Sequence, residues 1–271
     1  MTFGDSRGVA WFTGLAILFG LAVSESQRFE RAVAADIALR LEGRAKRVRV
    51  RARFDTSRQL SVVTIHARDF RTDQLPLFAE SQREGLGELD ELTLRLERFR
   101  LAGLDVERLD AVIPDCRYDL GLALRHRQIR LQSSGVGIGS VTVSQDALGP
   151  WITSRFREIK SATVRLDRHH VEVTGEAEFL VAKARFRVIA ELGIESSNRI
   201  VLSNARIWMD DRPAEPLARA ALLDLLNPVV DLNRDLKLFD AIRMTELRIG
   251  RGRLTALGTV RIPTQPTETT K

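Results

Sequence analysis

The sequence predicts an α+β fold in which antiparallel strands predominate and amphipathic helices are set among them. Three observations carry that expectation. The first is alternation. At Ala45–Phe54 the apolar residues Val48, Val50, Ala52 and Phe54 interleave with Arg47, Arg49, Arg51 and Arg53, the period of a strand with one buried face. The second is a change of period. Within Ser144–Ile159, Leu148, Ile152 and Phe156 recur every four residues with Trp151 and Ile159 on the same side, which is the apolar stripe of a helix. The third is that alternation resumes after this helix and runs to Trp208, so the helix is embedded in strands.

The chain opens on Val9–Val23, an uncharged and almost wholly apolar run. As a helix it would span roughly 22 Å, short of the ~30 Å hydrocarbon core of a bilayer. Residues 8–24 therefore read as a signal peptide or a short membrane anchor, with a buried N-terminal helix as the plain alternative. Ala22-Val23-Ser24 supplies small residues at a spacing suited to cleavage, whereas Arg28 and Arg31 oppose export of the body under the positive-inside rule. Ser24–Gly43 continues as a helix with Phe29, Val33, Ile37 and Leu41 at four-residue spacing.

The strand at Ala45–Phe54 follows. Its arginine ladder, Arg47, Arg49, Arg51 and Arg53, has two readings: a solvated outer face, or a contact with an anionic headgroup or membrane surface, where each basic residue contributes about 1 kcal/mol. The abundance of arginine on every strand favours the first. Gln59–Arg71 is a second strand, and Thr72–Arg83 a connection with some helical character. Glu88–Leu101 is a third, whose apolar parity changes near Glu97–Arg98 and so predicts a bulge. Leu104–Ile113 reads as strand or short helix, Pro114–Arg117 as a break, and Arg125–Val143 as strand. Ser144 or Asp146 would cap the central helix, with Pro150 better suited to its first turn than its middle.

Thr163–Leu166, His170–Leu180, Ala184–Ile194 and Arg199–Trp208 then form a four-strand meander with a turn at Ala182–Lys183. Glu215–Leu226 is a second amphipathic helix with a stripe of Leu217, Ala221, Leu222 and Leu225, stopped by Asn227-Pro228. Met244–Ile249 and Leu254–Ile262 close the fold around Gly250-Arg251-Gly252. No linker divides residues 25–263, which are expected to form one domain, and 264–271 read as a disordered tail.

With 271 residues and 44% hydrophobic content the chain can bury a core, and its net charge of +6 favours anionic partners. The lone Cys116 excludes an internal disulfide framework. No metal, cofactor or catalytic motif is found. His169 and His170 would point to opposite faces of a strand, and no His-Glu-x-x-His, Cys-x-x-Cys or Gly-x-Ser-x-Gly occurs. Asp231, Asn233 and Asp235 imitate the start of a calcium loop, but Leu236 and Ile242 replace the required Gly and Glu, leaving a polar turn. Gly135, Gly137 and Gly139 lack the spacing of a phosphate loop and instead suggest curvature or close packing. Aromatics amount to 6% and no basic run is interleaved with stacking residues, which argues against nucleic acid.

Several stretches together are similar to one family: Val33-Ala34-Ala35-Asp36-Ile37, Val48–Phe54, Ser61–Phe70, GSVTVSQDALGPWI at Gly139–Ile152, LLDLLNPVVDLNRD at Leu222–Asp235 and ELRIGRGRLTALGTVRIP at Glu246–Pro263. From about Glu25 to Pro263 the chain resembles the LmeA-like phospholipid-binding family of bacterial envelope proteins. The resemblance implies an elongated, curved antiparallel sheet wrapped around amphipathic helices, similar to the tubular lipid-binding folds. It also implies a phospholipid ligand, association with the extracytoplasmic face of the cell membrane, and binding or transfer without catalysis. On that reading the candidate lining of an apolar groove is Leu148, Trp151, Ile152, Phe156, Phe179, Phe186, Leu222 and Leu225, with Arg47 or Arg49 near the headgroup. The rival is a scaffolding envelope protein that binds another protein through a sheet edge or the arginine face. An unfilled apolar groove distinguishes the two. A small outer-membrane barrel is a third reading, opposed by the two helical stripes.

Overall fold

The computed structural model describes residues 9–55, 59–73, 86–168, 170–179, 182–238, 240–250 and 252–262, with the side chains of 9–24, 179 and 182 outside the description. Helix α1 (Val9–Arg40) leads into β1 (Arg47–Phe54), β2 (Leu60–Thr72), β3 (Leu86–Leu101) and β4 (Leu104–Asp119). Then come α2 (Leu120–His126), β5 (Leu131–Ser133), β6 (Gly137–Ser144) and α3 (Gln145–Arg155). The meander is β7 (Ile159–Leu166), β8 (Val171–Phe179), β9 (Ala182–Glu195) and β10 (Arg199–Met209), followed by β11 (Arg212–Pro213). Helix α4 (Pro216–Leu226), β12 (Val230–Asp231), β13 (Ile242–Gly250) and β14 (Arg253–Val260) complete the chain.

Two sheets result, and neither closes on itself. The larger has the order β1-β2-β3-β4-β6-β14-β13, with β5 beside β4. The smaller is β11-β10-β9-β8-β7, with β12 beside β10. The Met244 N–H donates to Ser197 O at 2.6 Å, tying the first strand turn of β13 to the β9–β10 connection. One pairing departs from the antiparallel expectation: β2 and β3 run parallel. Apolar alternation looks the same in either direction, so only the long connection between them could have hinted at a crossover.

The stripe on α1 is realised. Val33, Ile37 and Leu41 are buried, and the Phe29 ring meets Phe54 edge-on with centroids 5.4 Å apart. Glu30 Oε1 accepts the Ala52 N–H at 3.0 Å, which binds α1 to the first strand of the large sheet. Farther on, the Asp36 carboxylate receives both terminal nitrogens of Arg130 at 2.7 and 2.9 Å. The Arg130 side chain is 5% exposed. Among the described residues no helix is long and apolar enough to cross a membrane. The expected signal or anchor segment rests on side chains outside that set, as do most of the Thr72–Arg83 connection and the 264–271 tail.

Five local expectations are corrected. The central helix stops at Arg155: Phe156 is its C-cap, with extended backbone, and Ile159 already belongs to β7. Ser144 does cap it, its hydroxyl accepting the Ala147 N–H at 3.3 Å, but Pro150 stands mid-helix. Asp146, whose carbonyl loses its intrahelical donor to this proline, is exposed, so water can serve that carbonyl. The break at Pro114–Arg117 is absent: β4 runs through it, the missing proline N–H falling beside the left-handed Asp115 (φ 51°), where the ladder is interrupted. Helix α2 was not anticipated. Asp119 makes it, accepting the Leu122 N–H at 2.8 Å, and Arg127 ends it in the left-handed region. On α4 the buried residues are Leu222 and Leu226, whereas Leu217 is 84% exposed.

The bulge expected near Glu97–Arg98 is present and does not stand alone. Arg98 has φ 46° and lies beside Asp69 with φ 59°; both pairings of β3 skip this position, and on β4 the skipped residue is Glu107. A second interruption crosses the same three strands at Ser61, Asp90 and Asp115, with the Ser61 hydroxyl donating to Asp90 Oδ2 at 2.7 Å. Each lets a strand change the side it buries without losing its partners, and bends the sheet. Gly137 marks another tight point: a Cβ there would sit 2.1 Å from Val112 O, so only glycine fits.

Candidate functional site

Register turns single residues into continuous rows. One inward row crosses all seven main strands of the large sheet: Val48, Ala67, Leu96, Leu109, Val141, Ala256 and Leu247. The next is Val50, Ile65, Leu94, Ala111, Gly139, Gly258 and Met244. No polar side chain interrupts either. In the first row the middle members are closed in, with Ala67 1%, Leu96 7% and Leu109 6% exposed. Val141, Ala256 and Leu247 are only partly buried, as is Ile249 beyond them. The first row is thus closed over β2–β4 and partly exposed over β6, β14 and β13, where Met244, Val143 and Leu254 in the neighbouring rows are buried. The second row carries no side chain at Gly139 and Gly258, where neighbours pack too closely for one: a Cβ at Gly258 would fall 2.1 Å from Arg243 O.

The opposite face is charged. Its matching row reads Arg47, Arg68, Glu97, Arg108, Thr142, Thr255 and Arg248. The ladder residues Arg47, Arg49, Arg51 and Arg53 are all exposed on this face. None forms an ion pair among the described residues.

A cleft of about 720 Å³ lies just past the Asp69–Arg98–Glu107 interruption. Its lining includes Gly43, Arg44, Ala45, Phe70, Arg71, Phe99, Arg100, Asp105, Val106 and Ser144. Phe70 and Phe99 stack with centroids 5.0 Å apart and, with Val106, form the first inward row beyond the interruption. Asp69 takes two hydrogen bonds from Arg98, at 2.8 and 3.0 Å, and Asp105 takes two from Arg100, at 2.6 and 2.7 Å. Those bonds hold both carboxyls below the ordinary aspartate value.

The eight expected groove residues occupy several parts of the interior. Leu148, Trp151 and Ile152 on α3, Phe186 on β9 and Leu222 on α4 are buried. Phe156 and Leu225 are partly buried against the same core. The side chain of Phe179 lies outside the described residues. Helix α3 packs on β7, β4 and β6. Gly149 makes this approach possible, since a Cβ there would stand 2.4 Å from Ala162 O. The Trp151 ring reaches Gly103, while its indole N–H is buried without a hydrogen-bond partner among the described residues.

Two expectations about polar groups are met. The glycines at 135, 137 and 139 serve close packing, with a Cβ at 139 falling 2.6 Å from Val260. The 231–235 segment is a polar turn. Asp231 Oδ1 accepts the Asn233 and Arg234 N–H groups at 3.0 Å, and Asp235 Oδ2 accepts the Asp231 N–H at 2.7 Å. Asp235 also pairs with Arg155 at the end of α3. Among the described residues no group of three or more His, Cys, Asp or Glu could hold a metal ion.

The rows and the cleft are new to the structure, because register is not written in a strand's own sequence. The one available signal was the parity change at Glu97–Arg98, which marks where the cleft begins.

Residues 85–259 match the LmeA-like phospholipid-binding family. The chain belongs to this family. The match begins at the edge of β3 and ends in β14, so the strands β6, β14 and β13 fall within the LmeA-like region, and α1, β1 and β2 precede it. No curated protein and no solved structure matches the chain.

Proposed function

We propose that this LmeA-like chain binds phospholipid along the partly exposed apolar row of its large sheet and carries it at the extracytoplasmic face of a bacterial cell membrane, without catalysing a reaction. One observation supports this above the others: the row from Val48 to Leu247 is apolar across seven strands and only partly buried at Val48 and from Val141 to Leu247. An acyl chain laid there would lose water from its methylenes at about 0.8 kcal/mol each, and side chains rather than backbone would meet it. In this reading α3 covers the middle of the rows with Trp151 and Ile152, and the Trp151 N–H awaits an ester oxygen. The tubular form of the lipid-binding folds is part of the same reading, supported by the two bends that cross β2–β4. The apolar run at Val9–Val23 supports the membrane location.

Native mass spectrometry with lipid extraction on the full chain tests the proposal. Stoichiometric phospholipid on the purified protein is the expected result. Leu247→Glu should reduce that loading at least tenfold, whereas Thr163→Glu, on an exposed position of β7, should leave it unchanged. A clean unliganded mass that persists after incubation with phospholipid vesicles would overturn lipid carriage and favour the scaffolding role.

A further inference from the structure

The cleft beyond the Asp69–Arg98–Glu107 interruption has a charge arrangement of its own. Its three carboxylates are each engaged by an arginine: Asp69 by Arg98, Asp105 by Arg100, and Glu107 by Arg253 at 2.6 Å. Arg44 and Arg71 also line it, and among the described residues neither is within ion-pair distance of a carboxylate. Both are exposed. The cleft therefore holds two guanidinium groups outside its ion pairs, Arg71 acting on Asp105 only through the longer-range field.

Their backbone is held in place. Glu42 and Arg71 exchange N–H to O hydrogen bonds at 2.9 Å in both directions, docking the segment that carries Arg44 onto the end of β2. Lys46 Nζ donates to Leu41 O at 2.6 Å on the other side of that segment. Gly43 permits the turn between them at φ 118°. The wall and the strand end are thus joined before any ligand arrives. Position matters as well: Arg71, Arg100 and Asp105 form one row of the charged face, next to the buried row Phe70, Phe99 and Val106, so the cleft opens on the charged side of the large sheet.

We propose that this cleft is an anion site, with Arg44 and Arg71 binding the phosphate ester of a ligand. Guanidinium groups suit this chemistry because two N–H donors in one plane match two phosphate oxygens. The cleft exceeds a bare phosphate in volume and accommodates a glycerophosphate-sized group. The inference rests on the lipid-binding reading and adds a preference for negatively charged headgroups. It also moves the headgroup contact from the ladder at Arg47–Arg53 to the C-terminal end of β2.

The test uses the full chain and vesicles of phosphatidylcholine alone or mixed equally with phosphatidylglycerol, with the loaded lipid identified by mass spectrometry. Wild-type protein should take up phosphatidylglycerol over phosphatidylcholine by about tenfold. Arg44→Gln with Arg71→Gln should abolish that preference while still loading phosphatidylcholine. Arg165→Gln with Arg206→Gln removes equal charge from the smaller sheet and should keep it. Circular dichroism checks that each variant folds. Glycerol 3-phosphate titrated by calorimetry separates the sources of the phosphate: binding to wild type but not to the Arg44/Arg71 variant extends the site to free phosphate esters, and its absence alongside the vesicle preference assigns the site to lipid headgroups. Loading of both lipids without preference, or a preference that survives in the double variant, would overturn the anion site alone. Loading of neither lipid would overturn the lipid-binding reading and the site with it.

Discussion

The large and small sheets are built from the same alternation of apolar and charged residues, yet they treat their inner faces differently. The small sheet pairs β7–β10 in sequence order, with single register shifts at Ile159/Ser161 and Ser203/Arg206. Its inner residues Val164, Val173, Val188 and Ile207 are all close to fully buried. The large sheet contains a parallel pair, two interruptions that cross three strands together, and one inward row that is closed over β2–β4 and partly exposed over β6, β14 and β13. Regular pairing leaves a strand face to be covered once by its neighbours. Bends and crossovers carry the same face past what the remaining elements can cover. The proposed lipid surface lies on the sheet with the parallel pair and the shared interruptions.

The largest effect expected from breaking this contrast comes from the cover of the large sheet. Arg130→Ala should destabilise the protein by about 3–5 kcal/mol in urea unfolding, because it leaves the Asp36 carboxylate partly buried without its partner. Replacing both with apolar residues of similar size should recover most of that loss. Next, Leu92→Ala and Val141→Ala compare the closed and partly exposed parts of one sheet. Leu92 is 0% exposed, so its truncation should cost about 2–5 kcal/mol, against about 1 kcal/mol for the half-buried Val141. Equal costs would mean that the β6–β14–β13 end is as tightly filled as the centre.

The small sheet has its own test at Asn227. Its side chain accepts the Leu202 N–H at 2.7 Å and donates to Leu202 O at 3.1 Å, acting as one more pairing on β10. Asn227→Ala should cost about 1–3 kcal/mol by leaving that backbone pair unmet. The smallest effect is one of pH. Burial pushes the Asp231 carboxyl up, but the Arg234 and Asn233 N–H groups and the Arg199 guanidinium more than offset it, so its value in the fold lies below 3.8. A depressed value means that the folded state holds its proton less tightly than the unfolded chain. The stabilisation is complete above pH 3.8 and fades as pH falls through the lowered value. Asp231→Asn should flatten the acid limb of a circular-dichroism titration below pH 3.8 and lower stability at neutral pH.

Much of this architecture was legible in the sequence because the information was local. The α1 stripe, the Ser144 cap, the meander from Thr163 to Trp208 and the parity change at Arg98 each depend on residues a few positions apart. The family resemblance was legible for the same reason, since it rests on short runs. Where local reading failed, a distant or competing contact had won. Phe156 continues the helical spacing of α3 but leaves the helix, and Leu217 continues that of α4 but faces solvent.

By itself, then, the sequence determined the elements, the alternation that gives each strand one apolar side, the family, and the surplus of arginine over local acids. The tertiary structure decided which strands are neighbours and in what register. That choice assembles Val48 and Leu247, about two hundred residues apart in number, into one apolar row. It also brings Arg44 and Arg71 to one cleft while Arg98 and Arg100 are taken up by Asp69 and Asp105. Alternation specifies the side a residue faces. Only pairing between distant strands specifies what stands next to it, and a binding surface is made of such neighbours.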